Sequence, residues 1–155
     1  MNHRVLTVSK LLIVAHAPLA GALRAVAAHA FPELSDAVAA VDITSDQVEP
    51  ERAVRAALDA LASDSVLLLV DAFGATPCTA CQRATAGVPG ARIVAGVNVP
   101  MLWRTLGNLE LPLDELAQRA LAGAVQGVIQ ANPTPRQNQA GPKPAHDQVK
   151  HHDQQ

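Results

Sequence analysis

Aromatic side chains are nearly absent from this sequence. Its 155 residues include two phenylalanines, one tryptophan and no tyrosine, while 49% of the residues are hydrophobic. The core must therefore be built from Ala, Val, Leu and Ile, whose small side chains suit helices packed closely on a buried sheet. With so few aromatic residues to serve as platforms for base stacking, we expect no site for single-stranded nucleic acid.

An excess of positive charge is also missing. The 12 Lys and Arg residues are outnumbered by 14 Asp and Glu, and the formal net charge is −2. This balance argues against nucleic acid and against a polybasic membrane anchor, so we expect small-molecule or protein partners. No apolar run approaches the ~20 residues of a membrane span. The run "LLIVA" is shorter than the ~7–15 residues of a secretory signal core. We therefore expect a cytoplasmic protein with no direct membrane insertion.

The usual motifs for nucleotides and metals are absent as well. The sequence contains no G-x-x-x-x-G-K-[ST] loop, and no G-x-G-x-x-G follows the first apolar run. No cluster of carboxylates stands there either, such as a receiver domain uses to hold magnesium. We expect neither a cofactor nor a metal site.

Apolar runs of strand length alternate with amphipathic helical patterns. Strands are predicted at residues 10–15, 37–43, 65–73 and 91–99, and helices at 19–30, 45–62, 77–87, 101–106 and 113–129. The last helix places Leu121, Val125 and Val128 on its apolar face. Continuous apolar strands between such helices indicate a parallel sheet buried on both faces. The predicted fold is a doubly wound α/β domain with a four-stranded sheet in the flavodoxin-like order 2-1-3-4.

Composition divides the chain into three parts. Residues 1–9 form an N-terminal overhang, and residues 10–131 form the α/β domain. Residues 132–155 are rich in Pro, Gln and Asn and nearly free of apolar side chains, which predicts a disordered tail.

Two polar residues stand where strands of this fold end. His16 follows the first strand, and Asp71 follows the apolar centre of the third. In the order 2-1-3-4 these strands are neighbours at the switch point, where doubly wound sheets bind their ligands. A carboxylate that accepts a hydrogen bond from one imidazole nitrogen fixes the tautomer and leaves the other nitrogen with a lone pair. The pair can therefore act as a base or as a nucleophile.

The residues after Asp71 favour phosphoryl chemistry. Gly74 permits a tight turn, and Thr76 can cap a helix that begins at Pro77. A helix N-terminus with unpaired backbone N–H groups is an anion site. A histidine, an orienting carboxylate and an anion site at one sheet edge together suggest a phosphohistidine carrier.

Three segments also resemble a known family. "LLIVAHAPLAGAL", "LLLVDAFGATPCTA" and "IVAGVNVPMLWRTL" are similar to V-I-V-(S/T)-H-G, L-V-D-(L/T)-(F/W)-G-G-S-P-F-N and V-I-(A/T)-G-V-N-(I/L)-P-M-L. These patterns belong to the IIA component of mannose-family sugar phosphotransferase systems. The resemblance covers about residues 10–129 in order and without large gaps.

The resemblance implies roles for the matching residues. His16 would accept a phosphoryl group from the histidine phosphocarrier protein and pass it to a IIB component, with Asp71 orienting the imidazole. The turn of Gly74, Ala75 and Thr76, followed by Pro77, would hold the phosphoryl oxygens. The chain departs from the pattern at Ala17, Ala75 and Thr76, and Ala75 fits the turn only if its φ is negative. Such proteins are homodimers that exchange an edge strand, for which "GAVQGVIQ" (123–130) is a candidate.

Other functions remain open at this stage. The chain could be a regulatory phosphoprotein in a relay without sugar transport, or the phosphoryl donor subunit of a dihydroxyacetone kinase. Cys78 and Cys81 form a C-x-x-C at a helix start, where thiol pKa values fall, so a thiol redox protein is a further alternative. Met101 and Trp103 follow the fourth strand and are candidates for an apolar rim that docks a protein partner.

Overall fold

A computed structural model describes residues 7–133 of the chain. The predicted tail (132–155) and overhang (1–9) lie mostly outside these residues. In the described chain each strand is followed by at least one helix. In chain order the elements are β1 (Lys10–His16), α1 (Leu19–Ala30), a 3-10 helix (Pro32–Ala37), β2 (Val38–Ile43), α2 (Pro50–Leu61), β3 (Val66–Val70), α3 (Thr76–Ala84), β4 (Ala91–Ala95), α4 (Val99–Leu106) and α5 (Leu113–Gln126).

The four strands form one parallel sheet in the order β2-β1-β3-β4. This is the predicted order, and it brings the carboxyl end of β1 between those of β2 and β3. Strands β3 and β4 are shorter than the sequence predicts. The chain leaves β4 at Gly96, whose φ of 90° is readily adopted only by glycine.

Both faces of the sheet are buried, as its apolar strands predict. Leu11, Ile13 and Ala15 pack into a core shared with α1, α4 and α5, while Leu12 and Val14 face a second core shared with α2 and α3. All five side chains are fully buried. A buried Leu or Ile contributes about 1.5–3 kcal/mol of hydrophobic stabilisation. The strand that carries His16 is therefore fixed from both sides along most of its length.

The apolar face of α5 is narrower than predicted. Leu116 and Ala120 are buried, but Leu121, Val125 and Val128 are 44%, 77% and 76% exposed. These three residues of the predicted apolar face lie outside the core, because α4 and β4 cover only one side of the helix.

The end of α5 packs very closely on α4. A Cβ atom built on Gly123 would lie 2.6 Å from Cβ of Arg104, and one built on Gly127 would lie 2.1 Å from Cβ of Pro100. Glycine at these two positions lets the helices approach. Residues 123–130, the candidate for an exchanged edge strand, therefore form the end of a helix and an irregular segment in this structure, with no strand among them.

None of the helices formed by residues 7–133 combines the length and the apolarity needed to cross a bilayer.

Candidate functional site

The structure brings together His16 and Asp71, the two polar residues predicted to lie at neighbouring strand ends. His16 is the last residue of β1, and Asp71 directly follows β3. Oδ2 of Asp71 lies 2.6 Å from Nδ1 of the imidazole and also accepts the backbone N–H of His16, at 2.9 Å. Oδ1 accepts the backbone N–H of Ala72 at 2.8 Å. The carboxylate is therefore held by three contacts, two of them with His16.

The hydrogen bonds around Asp71 keep it ionised. Burial raises the pKa of its carboxyl group, but hydrogen bonds from the backbone N–H and imidazole of His16 and from the N–H of Ala72 lower it. The net effect is a pKa below the ordinary value of 3.8. An ionised carboxylate only accepts hydrogen bonds, so Nδ1 of His16 must be the donor.

This arrangement prepares one nitrogen of His16 for reaction. With its proton on Nδ1, the neutral imidazole has a lone pair on Nε2. The side chain of His16 is 56% exposed, whereas that of Asp71 is 13% exposed. Five surface cavities of about 380 to 590 Å³ lie elsewhere on residues 7–133, and neither His16 nor Asp71 lines any of the five. The nitrogen is presented on an open surface, where a large partner has access to it.

A tight turn connects Asp71 to α3. Gly74 has a φ of 80°, which confirms that the turn needs glycine there. Ala75 has a φ of −83°, so alanine is tolerated at the place of the second family glycine. The predicted cap is wrong by one residue, because the helix begins at Thr76 and Ala75 occupies the N-cap position without a side-chain hydrogen bond.

The start of α3 leaves backbone donors without helical partners. The N–H of Thr79 donates to the carbonyl of Ala75 at 3.0 Å, which is the first bond of the helix. The N–H groups of Thr76 and Cys78 precede that bond, and Pro77 has no N–H. Such N–H groups favour a bound anion.

The comparisons with known proteins agree with this geometry. The family model EIIA-man, described as the PTS (phosphotransferase system) fructose IIA component, matches residues 10–121. The chain belongs to this family. The resemblance seen in the sequence is thereby confirmed, and the chain is a phosphoryl-transfer component of a sugar phosphotransferase system.

Solved structures share the fold of this IIA domain. The mannose/sorbose-specific IIA subunit of a phosphotransferase system from Enterococcus faecalis is 28% identical and has a TM-score of 0.72, over 81% of this chain and 96% of that one. A phosphotransferase system component EIIA from Streptococcus agalactiae has a TM-score of 0.67 at 18% identity, over 79% and 96% of the two chains. The PTS IIA protein associated with the fucose utilization operon of Streptococcus pneumoniae reaches 0.66 at 19% identity, over 79% and 92%. At such low identity the last two show the fold alone. Comparison with curated proteins gave no match.

The two cysteines of the IIA domain are buried beside the site. Cys78 is 2% exposed, Cys81 is 0% exposed, and both are free thiols in the core between the sheet and α3. The pKa of Cys81 is raised from 9.0 to about 12, mainly by burial and to a smaller extent by the nearby Cys78 and Asp71. The expectation of a lowered pKa is wrong for Cys81, because burial outweighs the helix N-terminus. Thiol exchange requires an accessible thiolate, so the structure disfavours the redox alternative.

Of the two residues predicted to form a docking rim, only Trp103 lies at the surface of the IIA domain. Met101 is 1% exposed and packs in the core with α1 and α5, so its assignment to a rim is wrong. Trp103 is 48% exposed and shares a surface groove with Gly123 and Gly127. The helical period explains the difference, because two residues along a helix turn a side chain to another face.

Asp42 has a part in the site region that sequence reasoning missed. It lies in β2 opposite Ala15, and its Oδ1 accepts the backbone N–H groups of Ala20 at 2.9 Å and Gly21 at 3.3 Å. The helix α1 has no side-chain cap of its own, since Pro18 occupies its N-cap position. Asp42 therefore caps a helix that starts three residues after His16. No local signal predicts this contact, because the residues are about twenty positions apart in sequence.

Proposed function

We propose that His16 is the phosphorylated residue of this IIA domain. It accepts a phosphoryl group from the histidine phosphocarrier protein and passes it to a IIB component of the mannose family. The single observation that carries the proposal is the 2.6 Å contact between Nδ1 of His16 and Oδ2 of Asp71, which directs the lone pair of Nε2 to the surface. Family membership supports phosphotransfer as the activity.

The transfer is a displacement at phosphorus. The lone pair of His16 Nε2 forms the new N–P bond while the N–P bond of the donor phosphohistidine breaks, and the donor imidazole leaves with that electron pair. The imidazole of His16 becomes cationic as the new bond forms. The carboxylate of Asp71, bonded to Nδ1–H, stabilises this positive charge. The second transfer, to the acceptor protein, is the same displacement with His16 as the leaving group.

The turn before α3 is the proposed site for the phosphoryl oxygens. The N–H groups of Thr76 and Cys78 and the hydroxyl of Thr76 are the donors it offers, and the positive φ of Gly74 shapes the turn. Donors at a helix N-terminus offset negative charge where it develops during transfer.

Phosphoryl labelling tests the assignment. The purified chain is mixed with phosphoenolpyruvate, the general first enzyme and the histidine phosphocarrier protein, and acid-labile, base-stable phosphate is mapped by mass spectrometry. We expect label on His16 and none on His16→Ala. His29→Ala is the matched control, because His29 is an exposed histidine on α1 outside the site. Label that persists in His16→Ala would overturn the proposal.

A second step distinguishes the acceptors. The phosphorylated chain is isolated and mixed with a mannose-family IIB component or with the subunits of a dihydroxyacetone kinase, and loss of label is followed. We expect loss of label to the IIB component. Transfer to the kinase alone, or to neither, would favour the kinase-donor or the regulatory alternative. The proposal places this relay in the cytoplasm, where its phosphoenolpyruvate is produced.

We also infer a homodimer, as the family resemblance implies. An unpartnered apolar surface supports this inference, and it consists of side chains from the end of α5 and just beyond, namely Leu121, Val125, Val128 and Ile129. Sedimentation should give the mass of two chains for the wild type. It should give the mass of one chain for Val125→Asp, which places a charge in the middle of this surface.

A further inference from the structure

The two most exposed large apolar side chains among residues 7–133 stand in loops at the same sheet edge as His16. Val48 is 85% exposed and Phe73 is 83% exposed. Neither side chain contributes appreciably to the core. An isolated exposed apolar residue is common on protein surfaces, so their exposure alone explains nothing. Their position relative to His16 is what calls for a functional explanation.

The sheet order places these residues on opposite sides of His16. Phe73 lies in the turn that follows Asp71, the hydrogen-bond partner of His16 on the β3 side. Val48 lies in the loop of residues 44–49, which follows Ile43 of β2. Ile43 is the register partner of His16, and its carbonyl accepts the N–H of Ala17 at 2.9 Å. The exposed imidazole thus has one loop with a prominent apolar side chain on each side.

The charged residues within the loops of this edge all have one sign. Its loops are residues 17–18, 44–49, 71–75 and 96–98, and their charged residues are Asp46, Glu49 and Asp71. These loops contain no Lys or Arg, although Arg52 on the first turn of α2 contacts Glu49 at 3.2 Å. A partner that fits this edge has an apolar contact area and basic residues around it.

We propose that Val48 and Phe73 are the anchors by which the phosphorylated donor protein docks over His16. The contact area of this donor is apolar, and Lys or Arg residues lie at its margin. The proposal rests on the proposed function, because the donor brings the phosphoryl group. A rigid aromatic ring and a valine lose little conformational entropy on binding, and both bury apolar area as water leaves. The open site then becomes enclosed only when the partner is present.

The experiment compares two phosphoryl sources on the full chain. One is the phosphorylated histidine phosphocarrier protein at limiting concentration, and the other is phosphoramidate, a small donor that needs no docking surface. The variants are Val48→Ser and Phe73→Ser. The matched control is Val88→Ser, because Val88 is 46% exposed in the loop before β4, at the opposite edge of the sheet.

We expect kcat/KM for the protein donor to fall about tenfold in Phe73→Ser and a few-fold in Val48→Ser, with Val88→Ser at the wild-type value. Labelling by phosphoramidate should be unchanged in all three. Added salt should slow labelling of the wild type by the protein donor, since the attraction to acidic loops is screened.

Three results would overturn the docking proposal. The first is a wild-type rate with the protein donor in both Val48→Ser and Phe73→Ser. The second is an equal loss with phosphoramidate, which would mean that the substitutions distort His16 itself. The third is a second copy of this chain occupying the edge, seen as a change of mass in Phe73→Ser by sedimentation. If the wild type takes label from neither source, the proposed function fails first, and that result is distinct from the other three.

Discussion

Asp42 lies on β2 and Asp71 directly follows β3, the two strands that flank β1, and the comparison between them shows how position decides the role of a carboxylate. Asp71 binds the N–H and the imidazole of His16, and its side chain is 13% exposed. Asp42 is exposed and accepts N–H groups of Ala20 and Gly21 at the start of α1. In the proposed transfer, the first residue contacts a group that gains positive charge. The second contacts backbone donors whose charge does not change. The site needs a negative charge from Asp71 and only an oxygen atom from Asp42.

The largest expected effect is that of Asp71→Asn. An amide keeps the shape and one acceptor oxygen but loses the charge that stabilises the imidazolium. We expect the rate of His16 phosphorylation to fall by about 10²–10⁴-fold. Rapid-quench labelling with the phosphorylated carrier protein measures the rate, and circular dichroism verifies folding. A folded Asp71→Asn variant with a rate within threefold of the wild type would contradict the role of the charge.

Loss of the negative charge should matter little at Asp42, in contrast to Asp71. Asp42→Ala removes the cap of α1 and should lower the free energy of unfolding by about 1 kcal/mol. Asp42→Asn should recover most of that loss, because an amide oxygen caps a helix nearly as well as a carboxylate. Urea denaturation measures both variants. An Asn variant as unstable as the Ala variant would show that the charge of Asp42 matters after all.

A smaller effect is expected at Gly21. A Cβ atom there would lie 2.9 Å from Oδ2 of Asp42, so Gly21→Ala forces the carboxylate to shift. In the wild-type background this strain should cancel the gain in helix propensity, and stability should hardly change. In the Asp42→Ala background the same substitution should stabilise the chain by up to about 1 kcal/mol. A double-mutant cycle by urea denaturation detects the coupling, and equal effects in both backgrounds would contradict the contact.

The smallest expected effect is a change in the free energy of unfolding at acidic pH. Because the pKa of Asp71 is lowered on folding, the unfolded chain binds more protons at this residue than the folded chain does below about pH 5. The stabilisation from ionised Asp71 is therefore fully present above its ordinary pKa of 3.8 and is lost as pH falls through the lower folded value. The difference in unfolding free energy between wild type and Asp71→Asn should be constant at neutral pH and shrink on acidification. Denaturation curves from about pH 3 to 7 test the direction, and a difference that grows in acid would contradict it.

The sequence was sufficient to predict the features that depend on hydrophobic periodicity and on the residues at strand ends. Apolar runs located all four strands, and the parallel order then brought His16 beside Asp71. These features follow from local pattern and from rules that apply to every doubly wound sheet. The resemblance supplied the family, which the family model confirms.

The sequence could not predict which apolar side chains stay at the surface. Val125 and Met101 both occur in amphipathic patterns, yet one is 77% exposed and the other 1% exposed. The difference depends on which face of each helix packs against the rest of the domain, which is a property of tertiary packing. Asp42 was missed for a similar reason, since the helix that it caps is distant in sequence. Phe73 fits an apolar pattern as well as any core residue, and only the structure shows that it faces water.

The contact of Asp71 Oδ2 with both the backbone and the ring of His16 has a consequence for timing. The imidazole is attached to the carboxylate through the same oxygen that holds its strand, so its rotation is restricted when the chain folds and not anew at each encounter. In the proposed relay, donor and acceptor therefore meet a nitrogen that points the same way on arrival and on departure of the phosphoryl group. One orientation serves both halves of the cycle, and no rearrangement of His16 needs to separate them.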